Sequence, residues 1–168
     1  MIGEAAVNRA LKNMVDSFAY RQPPYPTAYD LVDRFEKETP DSLKYLIKDL
    51  FYDITLFNNR TTEATYSKLP NGKYKVDFTV TSEKIKADSL GKETKVPVND
   101  WIEIGVLSKP AEGKKYGKKL FAQMIHLTTA KRDFEVTVDS LPYQAGIDPD
   151  YYLIDRMPDD NLKKVSLK

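Results

Sequence analysis

The chain has 168 residues, with 26 basic and 25 acidic side chains, one histidine and no cysteine. That length suits one domain, or one domain with a helical appendage, and 41% apolar and 30% charged residues describe a globular rather than a disordered chain. The lack of thiols excludes disulfides, cysteine nucleophiles and thiolate metal sites, and a net charge of +1 argues against bulk capture of nucleic acid.

No run approaches the roughly 18 apolar residues of a membrane-spanning helix. Met1-Ile2-Gly3-Glu4 has neither the cationic start nor the apolar core of a secretory leader. The expectation is therefore a soluble piece without direct membrane insertion.

In chain order, Val7, Leu11, Met14 and Phe18 recur at helical spacing, with Ala10 and Val15 on the same flank. This predicts one apolar stripe on a helix from about Glu4 to Tyr20. Pro23-Pro24-Tyr25-Pro26 breaks the helix. It formally fits a PxxP ligand, but periodic segments on both sides favour a stiff connector. Thr27 can cap a second helix carrying Leu31, Val32 and Phe35. Thr39-Pro40-Asp41 reads as a hydroxyl cap, a proline at the first helical position and an acid at the positive end. Leu43, Leu46, Ile47, Leu50 and Phe51 then predict a third helix with a wide apolar face.

From about residue 58 the period falls from 3.6 to 2. Ala64 and Tyr66 alternate with Glu63 and Thr65, and Tyr74, Val76, Phe78 and Val80 with Lys75, Asp77, Thr79 and Thr81. Pro70-Asn71-Gly72 between them predicts a hairpin whose type I turn closes on a glycine with positive φ. Ile102, Ile104 and Val106 follow Trp101. Leu120-Ala122-Met124 competes with Phe121-Gln123-Ile125, which predicts a strand covered on both faces, and Phe134, Val136 and Val138 alternate with polar residues. Six or seven such strands after three helices predict an α+β chain: a short helical segment, residues 1–57, then an immunoglobulin-like antiparallel β-sandwich, residues 58–168.

Few residues carry a chemical signature. His126 lies in the apolar-rich run Phe121–Leu127 without a nucleophile motif, and is read as a structural or surface strand position. No glycine spacing suits a phosphate cradle. Asp148, Asp150, Asp155, Asp159 and Asp160 invite a calcium reading, but an EF-hand loop would place Tyr152 at its fifth position and no glycine at its sixth. Solvated carboxylates or salt bridges are the simpler account, and paired carboxylates for hydrolysis would need a shared cleft. Lys114, Lys115, Lys118 and Lys119 around Tyr116 read as a solvated loop rather than a nucleic-acid surface. Trp101 and the eleven tyrosines suit core and edge packing better than a carbohydrate platform. Asn59-Arg60-Thr61 matches a glycosylation sequon. No catalytic, cofactor-binding or metal-ligating residue is assigned.

Several stretches, in order, carry a resemblance. They are Gly3-Glu4, Val7–Leu11, Pro23–Thr27 and Thr39–Ile47 in the first half. In the second half they are Asn59–Tyr66, Ala87–Glu93, Asn99–Gly105, Ala145–Pro149, Leu153–Arg156 and Pro158–Asn161. Together they resemble the region following the catalytic domain in alanyl-aminopeptidase-like gluzincins, more narrowly the bacterial form fused to an ABC-transporter permease. Asp150-Tyr151-Tyr152 and Met157 depart from that pattern.

The resemblance implies a non-catalytic structural or interaction module whose partner is the upstream catalytic domain of a membrane-associated parent. Zinc would belong to that upstream domain, since HExxH and its histidines are missing here. It also implies that the catalytic domain lies before Met1. The alternative is an independent carbohydrate-binding or adhesion sandwich.

Overall fold

A computed structural model describes residues 2–168. The chain divides into two compact units, one ending at Ile54 and one spanning Thr55–Lys168. It is an α+β fold, with helices first and, among the described residues, nine strands in two sheets afterwards.

The first unit contains α1 (Glu4–Phe18), α2 (Ala28–Glu38) and the single-turn α3 (Lys44–Ile47). At the start of α2, the backbone N–H and the hydroxyl of Thr27 both donate to the Asp30 carboxylate at 2.8 Å. This anchors the first turn and holds the Asp30 pKa below the ordinary value. The helices α1 and α2 pack on each other, and Arg9 bonds Glu38 at 2.8 Å.

The packing face of α1 is only part of the predicted stripe: Val7, Met14 and Phe18 are half-buried. Ala6 and Ala10 are buried, whereas Leu11 and Val15 are exposed. Small side chains four residues apart let α2 approach closely, and that turns Leu11 and Val15 outward.

The third helix also differs from the expectation. A 3-10 turn (Asp41–Leu43), α3 and a π turn (Lys48–Tyr52) follow one another, and of the wide apolar face only Ile47 is buried. Thr39 does not cap this helix. Its hydroxyl donates back to Phe35 O at 2.7 Å and closes the end of α2.

The second unit contains β1 (Ile54–Lys68), β2 (Tyr74–Ala87), β3 (Glu93–Val96), β4 (Asp100–Leu107) and β5 (Lys119–Leu127). It continues with β6 (Lys131–Val138), β7 (Gln144–Ile147), β8 (Leu162–Lys164) and β9 (Ser166–Leu167). One sheet runs β3-β2-β1-β9, and β6 also pairs with β2. The other runs β5-β4-β7-β8. The long β2 pairs with β6 along Tyr74–Thr81 and with β3 along Lys84–Ala87. Placing β1, β2 and β6 in one layer and β5, β4, β7 and β8 in the other gives the connectivity of an immunoglobulin-like sandwich.

The β1–β2 turn forms as its sequence predicts: Gly72 N–H donates to Leu69 O at 3.0 Å with φ of 83°. Between the layers lie Val76, Phe78 and Val80 of β2, Ile102, Ile104 and Val106 of β4, and Ala145 and Ile147 of β7. These are the alternate residues that the period-2 pattern points inward.

The strand β5 departs from its expectation. Ile125 and Leu127 are buried, but Ala122, Gln123 and Met124 are exposed. It is the edge of its sheet and pairs with β4 alone, so its middle projects beyond the core. The additional strands β3, β8 and β9 are two to four residues long, too short to show a period.

Candidate functional site

The residues singled out in the sequence do not converge. His126 and Trp101 are register partners on β5 and β4, and their rings stack at 5.2 Å with an interplanar angle of 18°. His126 Nε2 lies 2.8 Å from Asn99 Oδ1. One face of the Trp101 ring is therefore occupied by the imidazole.

The five C-terminal carboxylates serve five separate ends. Asp148 is buried and accepts the N–H groups of Tyr152 and Leu153, each at 3.0 Å, which fixes a loop with positive φ at Asp148 and Tyr151. Burial raises the Asp148 pKa, against the opposing effect of those two donors. Asp150 pairs with Lys119 at 2.6 Å, and Asp160 pairs with Arg60 at 2.7 Å. Asp155 accepts Asn59 N–H at 2.7 Å and Met157 N–H at 2.9 Å. Asp159 acts at a distance on the tyrosine pair described next. Among the described residues, no three His, Asp or Glu side chains are grouped to hold a metal ion.

The basic loop is likewise dispersed. Lys119 also bonds Glu103, while Lys115 lies over the Tyr116 ring at 5.0 Å. Its hydrogen bond lowers the Tyr116 pKa, and burial raises that of Tyr151, whose ring centroid is 5.6 Å away.

Four carboxylates share a depression on the outer face of the first sheet. A cavity of about 570 Å³ is lined there by Glu63, Asp77, Asp133, Glu135, Lys131 and Lys168 among others. Lys75 bonds Glu135 at 2.5 Å and lies 3.7 Å from Asp77. Lys168 reaches Asp77 at 3.1 Å, and the Thr79 hydroxyl donates to Asp133 at 2.6 Å. Cations and a hydroxyl thus partner three of the four carboxylates.

Two buried polar clusters went unnoticed in the sequence. In the first, Asn59, the sequon asparagine, is fully buried, which closes it to a glycosylating enzyme in the folded chain. Asn161, with its amide nitrogen turned toward acceptors, donates to Asn59 O at 2.9 Å and Asp155 Oδ2 at 3.2 Å. The Thr61 hydroxyl donates to Asn161 O at 2.6 Å, and Ile147 N–H reaches the same oxygen at 3.0 Å. Gly146 makes room for this knot: a Cβ there would stand 2.0 Å from Asn161 O.

In the second cluster, Lys84 of β2 and Asp100 of β4 meet at 2.7 Å, with side chains only 8% and 4% exposed. The Lys84 ammonium lies 5.6 Å from the centroid of the Phe57 ring. Lys84 continues the inward series Val76, Phe78, Val80 and Ser82, so the alternation itself was the available signal.

No known protein-family model matches the chain, and no curated protein matches it. Among the described residues, no helix is long and apolar enough to cross a membrane.

Proposed function

We propose that this chain is a non-catalytic structural module of a larger zinc aminopeptidase, following the catalytic domain of a membrane-associated, transporter-fused parent. The observation that carries the reading is the uncovered apolar surface of the helical unit. Leu11 and Val15 on α1, and Leu50, Phe51 and Tyr52 beyond α3, are exposed, while Ala6, Ala10, Val32 and Ile47 are its buried apolar side chains. Helices with so small a core and so much apolar surface gain from continuing the packing of another domain. In this role the helices dock on the upstream catalytic domain and the sandwich braces it. The choice of an aminopeptidase catalytic domain as that neighbour rests on the ordered resemblance alone.

A carbohydrate-binding or adhesion sandwich would use Trp101, whose ring is stacked on His126. That stack takes one face of the ring away from a sugar, so this reading has the weaker support.

Two measurements test the proposal. The parent reading frame is expected to encode HExxH followed by a glutamate on the next helix, upstream of this chain. The purified chain alone is expected to leave aminoacyl-p-nitroanilides uncleaved. Turnover that persists through repurification, or an unrelated upstream sequence, would overturn it.

A further inference from the structure

The geometry points to a covalent cross-link: Lys84 Nζ and the Asp100 carboxyl group condense to a side-chain amide that joins β2 to β4. This is independent of the role proposed above and concerns the sandwich alone.

Two features of the site favour the reaction. The first is approach. A nitrogen held 2.7 Å from a carboxylate oxygen is within near-attack range of the carboxyl carbon, about 3–3.5 Å. Each group is carried by a paired strand, Lys84 opposite Val96 and Asp100 opposite Leu127, so little motion separates the contact from the bond.

The second is exclusion of water. Both side chains are almost wholly buried, and Phe57 lies over the amine. A proton passed from ammonium to carboxylate gives a neutral amine, which is a nucleophile, and a neutral acid, which is an electrophile. Asn99 N–H donates to Asp100 Oδ2 at 3.1 Å and polarises the carboxyl group.

The step balances without a co-reactant. The amine lone pair forms the Nζ–Cγ bond and one Asp100 C–O bond breaks. The departing oxygen leaves as water, with the two protons given up by the ammonium. No electron is transferred and the net charge of the pair stays at zero. Release of water from an apolar site draws the equilibrium toward the amide.

The test is the intact mass of the full chain, denatured after standing at neutral pH. The expected mass is lower than that of the sequence by one water. Trypsin should fail to cleave after Lys84, and fragmentation should recover a branched peptide linking Lys84 to Asp100. Lys84→Arg and Asp100→Ala should each restore the full mass. A wild-type chain that keeps the full mass overturns the proposal whether or not the variants fold. So does a water loss that fragmentation places elsewhere, as in a succinimide, or one that persists in Lys84→Arg.

Discussion

Asp148 shows how one buried carboxyl can tie stability to pH. Burial lifts its pKa above the ordinary 3.8, so the folded chain holds the proton more tightly than the unfolded chain does. The stability that this adds is fully present below the unfolded value and is lost as pH rises through the folded one. An Asp148→Asn variant, which cannot ionise, is therefore expected to lose less stability than wild type as pH rises from about 4 toward neutral. Urea midpoints across that range check this, and parallel slopes would exclude it. Asp148→Ala is a different perturbation. It strands the N–H groups of Tyr152 and Leu153 and should cost about 1–3 kcal/mol for each donor left buried. In the sequence Asp148 is one of five neighbouring carboxylates. Nothing in their spacing distinguishes the loop cap from the surface ion pairs of Asp150 and Asp160, because that depends on which backbone N–H groups the fold turns inward.

At the scale of elements, β5 contains its own control. Leu127 is fully buried opposite Asp100, whereas Met124, three residues earlier, is 38% exposed opposite Glu103. Leu127→Ala should cost about 2–5 kcal/mol by removing core atoms and leaving a cavity. Met124→Ala should lie within about 0.5 kcal/mol of wild type, as surface changes do. Chemical denaturation of both variants checks the contrast, and equal costs would mean that this edge is covered. The strands β2 and β4 were legible from sequence because Val76, Phe78 and Val80, and Ile102, Ile104 and Val106, recur at period 2 on the face that becomes core. The strand β5 was not, since its two candidate faces are equally apolar and its position at an edge is decided by distant pairing. The helices α1 and α2 were legible as elements, and the rotation of α1 only in part: Ala6 and Ala10 are buried and Val7, Met14 and Phe18 half-buried, but Leu11 and Val15 turn outward. Lys84 obeyed the alternation of β2. Its partner could not be read, because the approach of β4 is set by the packing of two sheets.

For the whole molecule, the two units differ in how much apolar surface holds them in place. The sandwich has a continuous core contributed by both sheets, while among the described residues of the helical unit four apolar side chains, two of them alanine, are buried. Short helices gain little from their own hydrogen bonds in water, so tertiary burial must supply most of their stability. Backbone amides of α1 and α2 should therefore open at lower free energy than those of β2 and β4 in the intact chain. Native-state hydrogen exchange resolves this element by element. The expected pattern is early exchange throughout both helices and protection near the global limit at Val76–Val80 and Ile102–Val106. If a catalytic domain covers Leu11, Val15, Leu50 and Phe51 in the parent, the same measurement on the parent should raise helix protection and leave that of β2 and β4 nearly unchanged. Helices as protected in the isolated chain as the sandwich core would show that they need no such neighbour, and would remove the physical argument for the module.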